Sequence, residues 1–308
     1  MQGLFLQSHR WAEFQRSVDR EVFRVETDYF SAYANTIKLP GGKNYLYIPY
    51  GPVADLNPIK GSIKQEVQNF ISKLGELARE KDSIFIKIEP QYDSIAELFA
   101  EQGFKKPKKE TTPHRTVVID IGGREDDILA SMHHKTRYNI RVAQKHGVSV
   151  SETGDVGAFA GLVRKTCERN TKRYPLYSEG YYRKFLDFFS GGEGLRAKLF
   201  LAFKDSEPVA GAIVLIDGKT GYYMYGGSDR EHSSSMAPYL LHWEIILYLK
   251  LHGVELYDMW MIDPKHWRGV TRFKLGWAGR QVEYPGSFDL PIQKNWYRAY
   301  SLYRKIFK

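Results

Sequence analysis

Between Asn57 and Lys81 the apolar residues Val67, Phe70, Ile71, Leu74 and Leu77 fall at helical spacing, which predicts a long helix with one buried face. A shorter helix is predicted from Ser8 to Ser17, where Ser8 can cap and Trp11 and Phe14 share a face. VFRVET and NYLYIPYGPV read as strands flanking the turn-rich LPGGKN, and hence as a hairpin before a Gly-Pro bend. The strand SIFIKIEP, the helix SIAELFAEQG and the basic segment FKKPKKE follow, so the first half reads β-β-α-β-α.

A second series begins at the strand RTVVIDI. One or two helices in EDDILASMHHKTRYNIRVAQKHG lead to the strand VSVSETG and the helices GAFAGLVRKTCERN and YSEGYYRKFLDFFSG. LRAKLFLAFK and EPVAGAIVLIDG form a hairpin, KTGYYMYGGS a further strand, APYLLHWEIILYLKLHG a helix ending at Gly253, and VELYDMWMI a strand. The closing NWYRAYSLYRKIFK is helical, with Trp296, Tyr300, Tyr303 and Phe307 on one face. The two halves suggest a duplicated α/β layer.

At 308 residues the chain is long for one ordinary domain, so two lobes are expected. Apolar residues at 43% and charged residues at 26% exclude the disordered and fibrous classes. No apolar run is long enough to span a bilayer, and MQGLFLQSHRWAEF lacks the basic and apolar regions of a leader; a cytoplasmic protein is expected. The single cysteine, Cys167, rules out an internal disulfide and reads as a structural thiol. Adjacent His133 and His134 diverge by about 100° on a helix, so no joint metal site is expected. The net charge of +9 favours polyanionic partners, and equally simple solubility.

Chemistry becomes specific from Tyr222 to Leu290. Y-x-Y-G-G-S at Tyr223 to Ser228, P-Y-x-L-x-W-E at Pro238 to Glu244, Y-D-x-x-x-I at Tyr257 to Ile262 and F-K-x-G-W at Phe273 to Trp277 occur in order. Upstream stand LQSHRWAEF, YGPV and KTRYNIRVAQKHGV. Together these resemble the FemA, FemB and FemX family of peptidoglycan-bridge aminoacyltransferases over nearly the whole chain. The family's Y-D-F-G-G-I strand is here Y-D-M-W-M-I, so two glycines are replaced by bulky residues. The coiled-coil arm of some members has no heptad counterpart.

The resemblance implies an α/β fold of two tandem GNAT-like acyltransferase lobes. They would span 1–114 and 115–289, with 290–308 returning to the first. It implies transfer of an amino acid from aminoacyl-tRNA to the stem-peptide amine of a peptidoglycan precursor, either lipid II or a UDP-MurNAc-peptide. No cofactor or metal is implied, and the enzyme would act as a monomer in the cytoplasm, with peripheral contact at the inner membrane face. Lys274 matches the family lysine that stabilises the tetrahedral oxyanion or orients the tRNA end, and Phe273 shapes the same channel.

Tyr181 and Arg173, in NTKRYPLYSEGYY, occupy the family's precursor-binding segment. Tyr223 and Tyr225 match tyrosines near that site, and simple strand alternation puts both on one face. Arg137 and Arg141, one turn apart, form a basic face for phosphates or for solvent. Glu89, before a proline, is a candidate base beside substrate-assisted proton transfer. The lysine that some relatives place after the opening tryptophan is absent; Glu13, Gln15 and Arg16 stand there.

Two other functions fit in part. An acetyl-CoA-dependent N-acetyltransferase would share the fold, but its pyrophosphate loop needs small glycines, and Arg230-Glu-His-Ser-Ser-Ser has none. A noncatalytic RNA- or membrane-surface-binding protein would use the charge and the aromatics alone.

Overall fold

The computed structural model describes residues 4–55, 62–108, 113–169, 176–191 and 194–307. The chain divides into two compact units, Met1–His114 with Glu283–Lys308, and Arg115–Val282.

In the first unit, α1 (His9–Ser17) is capped by the Ser8 hydroxyl, which accepts from the Trp11 amide, and Trp11 and Phe14 are buried. Then come β1 (Val22–Glu26), β2 (Phe30–Lys38), β3 (Asn44–Ile48), β4 (Val53–Ala54), α2 (Ile63–Glu80), β5 (Ser83–Ile88) and α3 (Asp93–Glu101). The expected hairpin is corrected here. LPGGKN joins β2 to β3, and β2 lies between β1 and β3 as the middle strand. Its Ala32, Ala34 and Asn35 are buried but carry little strand signal, which hid the element in FSAYANTIK. The long helix is described from Ile63; the start expected near Asn57 lies outside the described residues.

The second unit runs β6 (Arg115–Asp120), α4 (Glu125–Ser131), α5 (His134–Lys145), β7 (Ser149–Glu152), α6 (Val156–Arg169), α7 (Glu179–Phe188), β8 (Arg196–Lys204), β9 (Glu207–Asp217) and β10 (Thr220–Ser228). It closes with α8 (Ala237–Leu251), β11 (Leu256–Met261), α9 (Arg268–Leu275) and β12 (Arg280–Glu283). The chain then returns to the first unit as β13 (Phe288–Pro291) and α10 (Lys294–Phe307).

The two sheets run β1-β2-β3-β5-β13 and β12-β6-β11-β10-β9-β8-β7. In each, one parallel pair (β3 with β5, β10 with β11) sits among antiparallel neighbours, so the two sheets share this plan. In the second unit α8, apolar almost all round, buries Leu240, Leu241, Ile245, Ile246 and Leu249, as an internal helix must. The returning helix α10 packs the rings of Tyr297 and Tyr300 on Phe85, with centroids 5.2 and 5.1 Å away. Its inward face is thus Tyr297 and Tyr300; Trp296 (53%) and Tyr303 (43%) are exposed, against the expected grouping.

Candidate active site

Lys274 lies one residue before the end of α9. The turn leading into α9 is held by Asp263, whose carboxylate accepts from the amides of Lys265 and His266 and whose carbonyl accepts from that of Trp267. The end of α9 is fixed where the Gly276 carbonyl accepts from the His133 amide and the Thr136 hydroxyl. A side chain on Gly276 would meet that hydroxyl at 2.6 Å, so the close approach of α5 requires glycine. Between these anchors the Lys274 side chain turns inward and is buried.

Its ammonium donates to the Met261 carbonyl over 2.8 Å and lies 5.4 Å from the Tyr223 ring centroid. Loss of hydration presses the ammonium down to about 7, with Asp258 opposing that fall. His242 completes the cage: its ring is 4.5 Å from that of Tyr223 and 5.4 Å from that of Phe273, and its Nδ1 bonds the Tyr257 hydroxyl at 2.9 Å. Burial, and then the Lys274 charge, hold the imidazole down to about 3, so it is neutral at physiological pH. Phe273 packs on Tyr239, His242 and Trp277 and walls the same space. The arrangement is one cation, gripped by a carbonyl and a π face, in an apolar lining where its charge acts at low dielectric.

β10 departs from simple alternation. Its register against β9 shifts between Tyr223 and Tyr225, and this bulge overturns the expectation that the two tyrosines share a face. Tyr223 turns to α8 and Lys274. Tyr225 turns to α7, where its ring meets those of Tyr181, Tyr182 and Phe185 and its hydroxyl lies 3.0 Å from that of Tyr181. Tyr177 stacks on Tyr181 at 4.1 Å. Burial drives the Tyr225 hydroxyl well above its ordinary range, so this cluster offers neutral hydroxyl donors.

The remaining expected residues stand elsewhere. Glu89, in the first unit, is buried and accepts from the Tyr47 hydroxyl at 2.6 Å and the Ser287 hydroxyl at 3.0 Å. It lines a small opening with Tyr50, Pro90, His114 and Tyr284. Arg137 is turned to the end of α4, donating to the carbonyls of Leu129, Ala130 and Met132, so it works as a helix cap rather than as half of a basic face. Arg141 is exposed. Arg173 lies outside the described residues. His242 was not singled out by sequence, although a histidine amid the largely apolar run LLHWEIIL was a usable signal, and Asp258 and Trp260 entered only as parts of the Y-D-x-x-x-I motif and of its departure from the family's glycines.

The glycine-free turn after β10 has its amides engaged internally. Those of Ser233, Ser235 and Met236 donate to turn carbonyls, and those of Glu231 and Ala237 to the side chains of Asp229 and Ser235. A pyrophosphate cradle needs such amides pointing outward. Among the described residues no helix is long and apolar enough to cross a membrane, and no cluster of three or more metal-ligating side chains occurs.

The model of the FemAB family matches this chain over residues 1–112, 99–207 and 195–305. A curated relative, the lipid II:glycine glycyltransferase of Staphylococcus epidermidis, is 22% identical across 82% of this chain and 77% of its own length. Among solved structures, the crystal structure of FemX covers 97% of this chain and 95% of its own, with a TM-score of 0.78 and 21% identity. A tandem GNAT protein from the clavulanic acid biosynthesis pathway covers 86% of this chain and 79% of its own, with a TM-score of 0.58 and 15% identity.

Proposed function

The chain belongs to the FemAB family, and from that premise we propose that it is an aminoacyltransferase that extends the stem peptide of a peptidoglycan precursor with an amino acid taken from aminoacyl-tRNA. The observation that carries this reading is Lys274, a buried cation held by the Met261 carbonyl and the Tyr223 ring in the F-K-x-G-W motif.

In the reaction the acceptor amine uses its lone pair to form the new C–N bond. The ester carbonyl carbon becomes tetrahedral, and its oxygen takes the negative charge that the Lys274 ammonium faces. Collapse breaks the C–O bond, the electron pair leaves with the ribose oxygen of tRNA, and that oxygen takes up the proton the amine gives up. Tyr181 and Tyr225, as neutral donors, suit the uncharged groups of the precursor. The relatives named for lipid II favour a lipid-linked acceptor, reached by peripheral contact with the membrane.

The test supplies tRNA charged with a labelled amino acid together with lipid II or its nucleotide-linked counterpart. The expected product is a labelled branched precursor, and Lys274→Ala should cut turnover by about 10²-fold or more. Undiminished turnover in that variant removes Lys274 from the mechanism. Label transfer from acetyl-CoA instead would establish the N-acetyltransferase reading, which the internally engaged amides of Glu231, Ser233, Ser235, Met236 and Ala237 already disfavour.

A further inference from the structure

The floor beneath Lys274 is an interrupted strand. β11 pairs with β6 through Leu256, Tyr257 and Asp258 and again at Met261, and its register shifts in between. Within that bulge Trp260 has φ of +61°, a region where a bulky side chain costs about 1–2 kcal/mol. Such strain persists only where neighbours over-determine it. Here they do: the Trp260 amide donates to Asp258 Oδ1 over 2.7 Å, the Thr116 hydroxyl donates to the same oxygen, and the indole sits edge-on to Tyr222 at 5.6 Å. The next carbonyl along the chain is that of Met261, which holds the Lys274 ammonium.

We propose that the Asp258–Met261 bulge positions the Lys274 ammonium, with Asp258 as the positioning residue: its Oδ1 ties the Trp260 amide and the Thr116 hydroxyl, so that the Met261 carbonyl meets Nζ, while its charge faces the ammonium. The inference rests on the role given to Lys274 above. The groups facing that ammonium are Tyr223 from β10, His242 from α8 and Asp258 from β11, with Tyr257 bonded to His242 and Arg280 acting on Asp258. Of these, Asp258 alone opposes the effect of burial by lending the lysine negative charge. Burial raises its own carboxyl to about 6, against the pull of Thr116, the Trp260 amide, Lys274 and Arg280. The carboxylate therefore holds the bulge through its oxygen and the protonated lysine through its charge, two roles that substitution can separate.

Asp258→Asn keeps an acceptor oxygen for Trp260 and Thr116 and removes the charge, whereas Asp258→Ala removes both. Two readouts are taken on the full chain: the pH profile of turnover, and the midpoint of Lys274 acylation by acetic anhydride, followed by mass spectrometry of its peptide. In Asp258→Asn, turnover at neutral pH should fall by about tenfold with KM within about twofold of wild type. The alkaline limb of the profile and the labelling midpoint should move together to lower pH. Asp258→Ala should lose about tenfold more; should it fail to fold, the asparagine variant still decides. An unmoved limb and midpoint in Asp258→Asn overturn the positioning role. The labelling midpoint needs no turnover, so it judges Asp258 even if Lys274→Ala proves fully active, an outcome that would instead remove Lys274 from the mechanism.

Discussion

A buried lysine is costly to a fold, and Lys274 is only 7% exposed. Its ammonium, ordinarily near 10.5, titrates at about 7 in the folded chain because burial strips its water. Below that pH the fold carries the desolvated charge in full. As pH rises from about 7 toward the unfolded value the folded chain binds fewer protons than the unfolded one, so this group adds stability in that window. Lys274→Met should therefore raise stability at slightly acid pH by on the order of 1–3 kcal/mol while abolishing turnover. Urea titrations at two pH values check this; a variant as stable as wild type at both would mean that the site relaxes around the charge. The lysine itself was legible from its motif. Its cage was not, because His242 and Asp258 act through positions on α8 and β11 that sequence spacing does not bring together.

The two sheets differ from their periodic description chiefly where strands are broken. Strict alternation placed Tyr223 and Tyr225 on one face, and the single extra residue at the β10 bulge moves them to opposite faces. No propensity marks such a bulge beforehand. The glycines that follow do carry a legible constraint, each for its own reason. A side chain at Gly226 would meet the hydroxyl and ring of Tyr223, so a side chain, though one packed between His242 and Lys274, would have to give way. One at Gly227 would lie 2.5 Å from the backbone of Leu162 and Val163, so α6 itself would have to move. Gly227→Ala should thus cost about 1–3 kcal/mol, and Gly226→Ala less. Parallel denaturant melts give the order; equal costs would show that α6 yields as easily as a side chain. β2 escaped notice for the opposite reason, since its Ala32, Ala34 and Asn35 are buried by their neighbours rather than by their own composition.

The first unit is assembled from both ends of the chain. β13 pairs with β5, bringing Asp289 beside Lys87 across 202 positions of sequence, with Nζ 2.5 Å from Oδ1. The Tyr297 hydroxyl, on α10, donates to the other carboxylate oxygen at 2.9 Å. Both charged groups are buried, so each is tolerable only because the other is present. The sequence pattern showed a closing helix and the family resemblance implied its return, but neither showed the pairing, because a lysine within SIFIKIEP and an aspartate within SFDL look like surface residues until the strands meet. Asp289→Ala leaves an ammonium buried without its counter-charge and should destabilise the first unit by about 3–5 kcal/mol. A Lys87→Met, Asp289→Leu double variant removes both charges together and should recover most of that loss, the remainder reporting the Tyr297 hydroxyl left without its acceptor. Thermal melts of the two variants decide between a charge effect and a packing effect. If the double variant melts as low as Asp289→Ala, the seam depends on the shape of these side chains, and the ion pair is not what fastens the closing segment to the sheet.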